Sequence, residues 1–474
     1  MIPSYKLSWI AAFAALVGCS TLSRARDAQK AHEAKGRGET AAVAKVSLKG
    51  ESLESLVRFA LTNRPSVVSA RLAVEDARLA MKSLATEAPV LSEYPWAAAK
   101  LNVSANYGET STPSTMSDHD WEMDGGPSAA LSLDLLVYDF GRYSARASEQ
   151  AEKTVAAELE LAQQGYVVFN EVATSYFDFY EKCALLQVAM TNEAQYADHL
   201  DRTEAWLEAG EAYRLDVLKA RLDLANARQS TVAASNAVAT AGATLMNALG
   251  IDESRGTWES VIGADRAGID AVRRGFMRSS IGNDDAYALA RTNSPSVAVR
   301  RARLRAASHA VDYAVADMLP NVTVSGSLSW TDPFWIWKWG LSVAKTFQFY
   351  RHLTPVDRAR VALEAASVAV DEAEQQLSVE LELAIANRDN SDAAFDAAMA
   401  SLRSAKENLG TVMEQFQIGD VSRIELSDAI ASYSSARGTV IKAFYDGQRA
   451  ETKLFSLLGR YPDFHEKVIR SKER

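Results

Sequence analysis

The sequence has few residues of the kinds on which enzyme active sites and metal centres depend. Its 474 residues include only 2 cysteines and 6 histidines, and the histidines are scattered along the chain. We find no His-Glu-x-x-His zinc pair, no Cys-x-x-Cys pair, no Gly-x-Ser-x-Gly nucleophile turn and no glycine-rich phosphate loop. The sequence therefore predicts a protein that is not an enzyme and that has no catalytic residue, cofactor or bound metal.

An excess of basic residues is also missing. Lysine and arginine number 51 against 61 aspartates and glutamates, which gives a formal net charge of -10. A nucleic-acid partner needs a basic surface, so none is expected. The hydrophobic fraction of 48% and the charged fraction of 24% fit neither a disordered chain nor an all-apolar membrane bundle.

Long apolar runs are absent beyond the N-terminus. Lys6 and the apolar stretch after it are typical of a secretory signal, and Leu16-Val17-Gly18-Cys19 is typical of a bacterial lipobox. We interpret residues 1–18 as a lipoprotein signal peptide and Cys19 as the lipidated first residue. The alternative is an ordinary signal with a chance cysteine. Because no later run of 18 apolar residues exists, a chain that crosses a bilayer must use strands.

The second cysteine, Cys183, has no intrachain disulfide partner if Cys19 is acylated. It falls on the apolar stripe of a predicted helix. We therefore expect a packed core thiol rather than a reactive one.

The chain contains one unit written twice. Asn63-Arg64-Pro65-Ser66-Val67 recurs as Asn293-Ser294-Pro295-Ser296-Val297, 230 positions later. Three further matches share an offset of 209: Gly210 with Gly419, Ala227-Arg228 with Ala436-Arg437, and Leu249-Gly250 with Leu458-Gly459. The smaller offset indicates an insertion in the first copy, and the polar segment 108–127 is the best candidate. Its acids lack EF-hand spacing, so we expect a solvated loop rather than a metal site. These acids are Asp118, Asp120, Glu122 and Asp124.

The repeats give the domain boundaries. The segments are a signal peptide (1–18), a lipidated tether (19–50), a first repeat (51–260), a linker (261–282), a second repeat (283–460) and a polar C-terminal tail (461–474).

Each copy has the same order of elements. A short helix is followed by a second helix that opens at Pro65 or Pro295, a favoured place for proline. Two strands and two very long helices come next. Sixty helical residues extend on the order of 90 Å. The helices are expected at 51–61, 143–201 and 203–249 in the first copy, and at 283–292, 355–415 and 420–458 in the second.

Apolar residues in the long helices recur at alternating spacings of four and three, which is typical of a coiled-coil seam. The predicted seam residues are Val172, Tyr176, Phe179, Cys183, Leu186 and Met190 in the first copy, and Phe395, Met399, Leu402, Lys406, Leu409, Met413 and Phe416 in the second.

The four predicted strands alternate apolar and polar residues over 9–11 positions, the length of a tilted transmembrane strand. A cluster of aromatics lies at one hairpin end, as in an interfacial girdle: Trp330, Phe334, Trp335, Trp337 and Trp339. The alternative is a soluble sheet with one buried face. Open sheet edges cannot face lipid, and the smallest stable barrels have about eight strands. A membrane reading of four strands per chain therefore requires at least two copies.

The duplicated order, the segment Tyr138-Asp139-Phe140-Gly141-Arg142 after the second strand, and two Gly-x-x-x-x-x-Asp/Glu turns resemble the TolC family of outer-membrane factors. The resemblance covers nearly all of residues 50–460. It implies a mainly α fold with a small β part: a homotrimer with a 12-stranded outer-membrane β-barrel, continuous with a long periplasmic α-helical barrel. Copy two departs locally, since Phe347-Gln348-Phe349-Tyr350-Arg351 lacks the glycine.

The resemblance also implies where function lies. Glu425 and Asp428 are spaced i, i+3 and share a helix face. They are either two solvated surface acids or, as the family implies, acids that ring a pore constriction and favour cations. Asp216 is the copy-one equivalent. The remaining implied residues are the tip turns Gly210 and Gly419 and the gate contacts Arg214, Arg423 and Phe416.

The function implied is the outer-membrane channel of a tripartite efflux system. It is a passive exit duct for small molecules or ions expelled by an inner-membrane RND or ABC transporter through a periplasmic adaptor (membrane fusion) protein. The chain is expected to be lipid-anchored among the outer-membrane lipids of a Gram-negative bacterium, with a periplasmic extension. Two alternatives stay open: the exit channel of a type I protein secretion system, and a structural periplasmic coiled-coil lipoprotein without a pore.

Overall fold

The computed structural model describes eight stretches of the chain: residues 53–84, 99–113, 121–210, 213–251, 283–331, 334–344, 354–418 and 420–460. The signal peptide with Cys19, the tether, the linker and the tail predicted from the sequence lie outside the described residues. Of the helices within these stretches, none is both long enough and apolar enough to cross a membrane.

The chain divides into two compact units, which we name the sheet unit and the helical unit. The sheet unit takes the described parts of Asp76–Thr154 and Leu304–Ala365. The helical unit takes the described parts of Lys45–Glu75, Val155–Arg303 and Ala366–Arg474. Both units draw on both sequence repeats, so each repeat is completed by packing against the other.

The sheet unit contains one antiparallel sheet in the order β1-β2-β3-β4. Its strands are β1 (Ala99–Pro113), β2 (Trp121–Tyr138), β3 (Asn321–Thr331) and β4 (Phe334–Ala344). The register aligns apolar residues across strands, as in the row Leu131, Leu328 and Trp337. It also aligns polar ones, as in the row Asn102, Ser132, Ser327 and Lys338. The alternation predicted from the sequence therefore produces one apolar and one polar face.

The apolar face is open in the single chain. Trp337 and Trp339 are 73% and 77% exposed. Large aromatic side chains left this exposed mark a surface meant for contact with lipid or another protein.

The hairpin of the first copy is longer than the sequence predicted. β1 and β2 remain paired from Ala99↔Leu135 out to Pro113↔Trp121. The strands reach 15 and 18 residues, whereas β3 and β4 have the expected 11. The expected loop is thus wrong for Glu122 and Asp124, which lie in β2, while Asp118 and Asp120 lie outside the described residues. Ladder pairing does not require apolar residues, so a polar composition did not distinguish strand from loop.

The described residues form eight helices. They are α1 (Leu53–Asn63), α2 (Pro65–Leu84), α3 (Arg142–Glu208), α4 (Arg214–Leu249), α5 (Asn283–Asn293), α6 (Pro295–Ala316), α7 (Thr354–Gln417) and α8 (Arg423–Leu457). Pro65 and Pro295 each open a helix, as predicted from the sequence.

The helix break predicted near residue 202 is wrong. α3 continues to Glu208, and Gly210 then adopts a φ of +82° that ends the helix. Thr203 is fully buried inside α3, with its hydroxyl donating to the His199 carbonyl at 2.7 Å. This bond satisfies the buried polar group within the helix, so Thr203 does not interrupt it.

The largest core cluster joins α1, α2, α3, α4 and α8. Phe169, Phe179 and Tyr445 are almost fully buried there. Cys183 is 5% exposed in the same cluster, which agrees with the expected core thiol. Five of the six predicted seam residues of copy one are at least half-buried, whereas Met190 is 57% exposed.

The seam of copy two is displaced by one residue from the prediction at three positions. Lys406 is exposed, and Met399 and Met413 are each 43% exposed. The packed positions are their neighbours Ala398, Ala405 and Val412. Neighbouring apolar residues fit almost the same periodicity, so spacing alone did not choose between them.

In each repeat, the end of the last helix packs against the start of the same repeat. Gly250 ends α4 and Gly459 follows α8, with φ of +74° and +62°. A Cβ at Gly250 would lie 3.2 Å from the Arg64 Cα, and one at Gly459 only 2.5 Å from the Asn293 carbonyl oxygen. The last helix of each copy therefore ends against the proline-opened helix pair of that copy.

Candidate functional site

Four helix ends pack together in the helical unit. They are α3 from Tyr196 onward, α4 up to Ala227, α7 from Leu409 onward and α8 up to Tyr433, and we call them the four-helix tip. Leu224, Leu426 and Ile430 are buried between them. Both copies of the repeat thus contribute helix ends to the same site.

Glu425 lies in the first turn of α8 and caps it. Its backbone N–H donates to Ser422 Oγ at 3.3 Å, and its Oε2 accepts from the Ser422 N–H at 3.1 Å. This reciprocal pair satisfies two helix-end donors and places a negative charge where the helix dipole favours one. The signature Ser-x-x-Glu is visible in the sequence, but the sequence analysis did not assign Glu425 this capping role.

Asp428 is exposed one turn further along α8, as the i, i+3 spacing predicted. Between the two acids, Ser427 ties three helices together. Its hydroxyl donates to Asp223 Oδ2 of α4 at 3.3 Å, and its carbonyl accepts from the Tyr196 hydroxyl of α3 at 3.5 Å. We name Tyr196, Asp223 and Ser427 the serine tie. Sequence reasoning missed it, because its members lie on helices far apart along the chain.

The negative charges of Asp223 and Asp428 act on the Tyr196 hydroxyl within the tip. Burial raises the pKa of Tyr196, the hydrogen bond to Ser427 lowers it, and the carboxylates of Asp223 and Asp428 raise it, so that the pKa lies above its ordinary value. The site therefore contains a third acid, Asp223, beyond the two that the sequence suggested.

The corresponding turn of copy one, at the start of α4, differs in its charged residues. Asp216 accepts the Tyr213 N–H on Oδ2 at 3.1 Å and so caps α4 as Glu425 caps α8. The residue one turn later is Lys219, at the position that Asp428 occupies in copy two. The acidic pair therefore belongs to the second copy alone.

The other residues predicted from the sequence are distributed around the tip. Arg214 is exposed at the start of α4. Phe416 is half-buried, with its ring centroid 5.3 Å from that of Trp206 and 6.2 Å from that of His199. Gly419 and the side chain of Arg423 lie outside the described residues.

No group of three or more metal-ligating side chains occurs within the stretches that the structure describes. The four-helix tip presents carboxylates and hydroxyls on helix ends.

A protein-family model described as outer membrane efflux protein matches residues 56–251 and 286–460. The two matched segments coincide with the two repeats and together cover well over half of the chain, so the chain belongs to this family. No curated protein shows significant sequence similarity to it.

Solved structures of the same architecture agree. CusC matches with a TM-score of 0.72 at 19% identity, over 86% of this chain and 92% of that one. The CmeC outer membrane channel of Campylobacter jejuni matches at 0.73 and 16%, over 89% of each chain. VceC, an outer membrane protein of Vibrio cholerae, matches at 0.72 and 15%, over 86% and 96%. At these identities the likeness shows the fold.

Family and fold together define an efflux channel of the Gram-negative outer membrane. They confirm the TolC-like architecture of two repeats, mainly α with a small β part, and the prediction that the protein is not an enzyme.

Proposed function

We propose that the chain is the outer-membrane component of a tripartite efflux system. Three copies form a passive exit duct for small molecules or ions, which an inner-membrane RND or ABC pump delivers through a periplasmic adaptor. Cys19 carries the lipid that anchors each copy. The observation that carries the proposal is the grouping of Asp223, Glu425 and Asp428 at the four-helix tip.

Glu425 and Asp428 form the selective constriction in this proposal. Both are exposed on α8 in the single chain. Three-fold repetition places six of these carboxylates around one axis, and rings of acids favour cations in channels. Asp216 braces the corresponding turn of copy one.

The serine tie and the edge-to-face ring contact between Phe416 and Trp206 hold the tip closed. Both hydrogen bonds of Ser427 join α8 to helices of copy one, so a movement of α8 away from them must break both. Arg214 and Arg423 flank the turns that move. A partner that binds the tip better in the open arrangement shifts the equilibrium toward it, by as much as its affinities for the two arrangements differ.

The test is the ion selectivity of the purified channel in planar bilayers. The variant is Glu425→Gln with Asp428→Asn, because glutamine keeps the cap that alanine would remove. We expect the reversal potential in a salt gradient to shift toward anions and divalent block to weaken. The control, Asp371→Asn with Glu382→Gln, removes two exposed acids of α7 that lie outside the four-helix tip, and it should leave selectivity unchanged.

Two results would contradict the proposal. Unchanged selectivity in the tip variant, or an equal shift in the control, would reject the constriction assignment. Absence of any conductance from folded oligomers would reject the duct and favour a structural lipoprotein.

A further inference from the structure

A cavity of about 390 Å³ lies in the sheet unit, outside the four-helix tip. Lys100 and Asp134 border it from paired positions of β1 and β2, and Thr323 borders it from β3. Arg142 and Arg146, one turn apart on α3, complete the side toward the helix. Its volume is in the range of small-ligand pockets.

The cationic groups of the cavity are held by neighbouring residues. The Arg142 Nη1 lies 3.2 Å from Asp317 Oδ1. With its amide oxygen turned toward α3, Asn321 accepts from Nη1 and Nη2 of Arg142 at 3.2 and 3.1 Å. The guanidinium of Arg146 lies 5.9 Å from the ring centroid of Tyr313, within cation–π range. These contacts hold the guanidinium groups of Arg142 and Arg146 in fixed positions.

Two acids, Asp134 and Asp139, also border the cavity. Asp139 is 5% exposed, and its carboxylate accepts the backbone N–H groups of Gly141 at 3.3 Å and Tyr143 at 2.5 Å. It is committed to capping α3. Asp134 stands opposite Lys100 and accepts weakly from the Asn102 amide at 3.4 Å. Three cationic side chains and two acids therefore border the cavity, and a third acid, Asp317, pairs with Arg142 from outside the lining.

We propose that this cavity binds an oxyanion, the phosphate or carboxylate of a solute or the phosphate of a lipid headgroup. Guanidinium groups present paired donors that match such oxygens, and lysine adds a point charge. Tyr313 and Thr323 also line the cavity. The cavity is then a second charged site, opposite in sign to the tip acids.

This inference does not rest on the proposed duct. Binding can be measured on the full-length protein in detergent whether or not the protein conducts, so a failure of one claim leaves the other standing.

Pyrophosphate is the probe, and its affinity is measured by isothermal titration calorimetry. Lys100→Gln with Arg146→Gln should weaken binding by at least about tenfold, since each removes a charged donor. Asp134→Asn should tighten binding, because it removes a negative charge from the cavity. Lys338→Gln, an exposed lysine on the polar face of β4 that does not border the cavity, should change nothing. Arg142 is left intact because it also ties α3 to Asp317.

A second arm distinguishes the source of the oxyanion. Lipid phosphorus that copurifies with the wild type is measured against that of the Lys100→Gln, Arg146→Gln variant. A loss of bound lipid identifies a headgroup, whereas unchanged lipid with lost pyrophosphate binding identifies a soluble anion. The proposal is wrong if neither measurement depends on Lys100 and Arg146, or if Lys338→Gln has the same effect.

Discussion

At the residue scale, the carboxylate of Glu425 has two uses that must be separated. It caps α8 through the Ser422 N–H, and its exposed charge is the proposed half of a selective pair with Asp428. A lost helix cap costs about 1 kcal/mol, enough to loosen the turn that forms the constriction. An alanine variant would therefore remove both the helix cap and the negative charge. Glutamine removes only the charge, so it is the informative substitution.

The reactivity of Cys183 tests the core at the same scale. Burial raises the pKa of this thiol to about 12. Since the thiolate is the reactive form, almost none is present between pH 7 and 9. We expect a maleimide to label Cys183 only after denaturation, as measured by mass spectrometry. Rapid labelling of the native protein near pH 8 would show that α3 does not pack as described.

Single residues also show the limit of sequence reasoning. Cys183 was predicted as a core thiol because it lies on a local apolar stripe of α3. Asp428 was placed on the same helix face as Glu425, because i, i+3 spacing is local as well. Asp223 and Ser427 carry no such local signal, because they are 204 positions apart and meet only when α4 packs on α8.

At the scale of elements, the glycines that end the helices differ in what surrounds them. Gly210 and Gly459 both adopt positive φ, which strains other L-residues by roughly 1–2 kcal/mol. A Cβ at Gly210 would meet nothing within 4 Å, whereas one at Gly459 would lie 2.5 Å from a backbone oxygen. Gly210→Ala should therefore cause only the conformational strain, and Gly459→Ala should destabilise the helical unit considerably more.

The measurement is thermal unfolding of the two glycine variants, followed by circular dichroism at 222 nm. Gly459→Ala should lower the melting temperature by clearly more than Gly210→Ala does. Equal decreases would mean that α8 does not end against the break at Asn293.

Elements also show why some boundaries were predictable and others were not. The prolines and glycines that open and close helices act locally, so Pro65, Pro295 and Gly210 marked true boundaries. The extended β1-β2 hairpin and the displaced seam of α7 depend on which partner each residue meets. Neither a polar composition nor an apolar period identifies that partner.

At the scale of the whole molecule, the sheet of one chain is incomplete. β1 and β4 are its two edges, and unpaired backbone groups at such edges are strongly unfavourable in lipid. The β1 edge of one copy can form backbone hydrogen bonds with the β4 edge of the next copy. Such an assembly either closes into a ring or grows without limit. We propose closure at three copies, and a cross-linking ladder measures the number of chains.

Cysteines placed on both edges test this closure. Asn102→Cys in β1 is combined with Lys338→Cys or Ser342→Cys in β4, all exposed positions of the polar face. In the correct register, oxidation of membranes should give bands of one, two and three chains and none above. Asn102→Cys alone should give no ladder, and the buried Cys183 should not contribute. Bands beyond three would show an open assembly, and a ladder that ends at two would show a different ring.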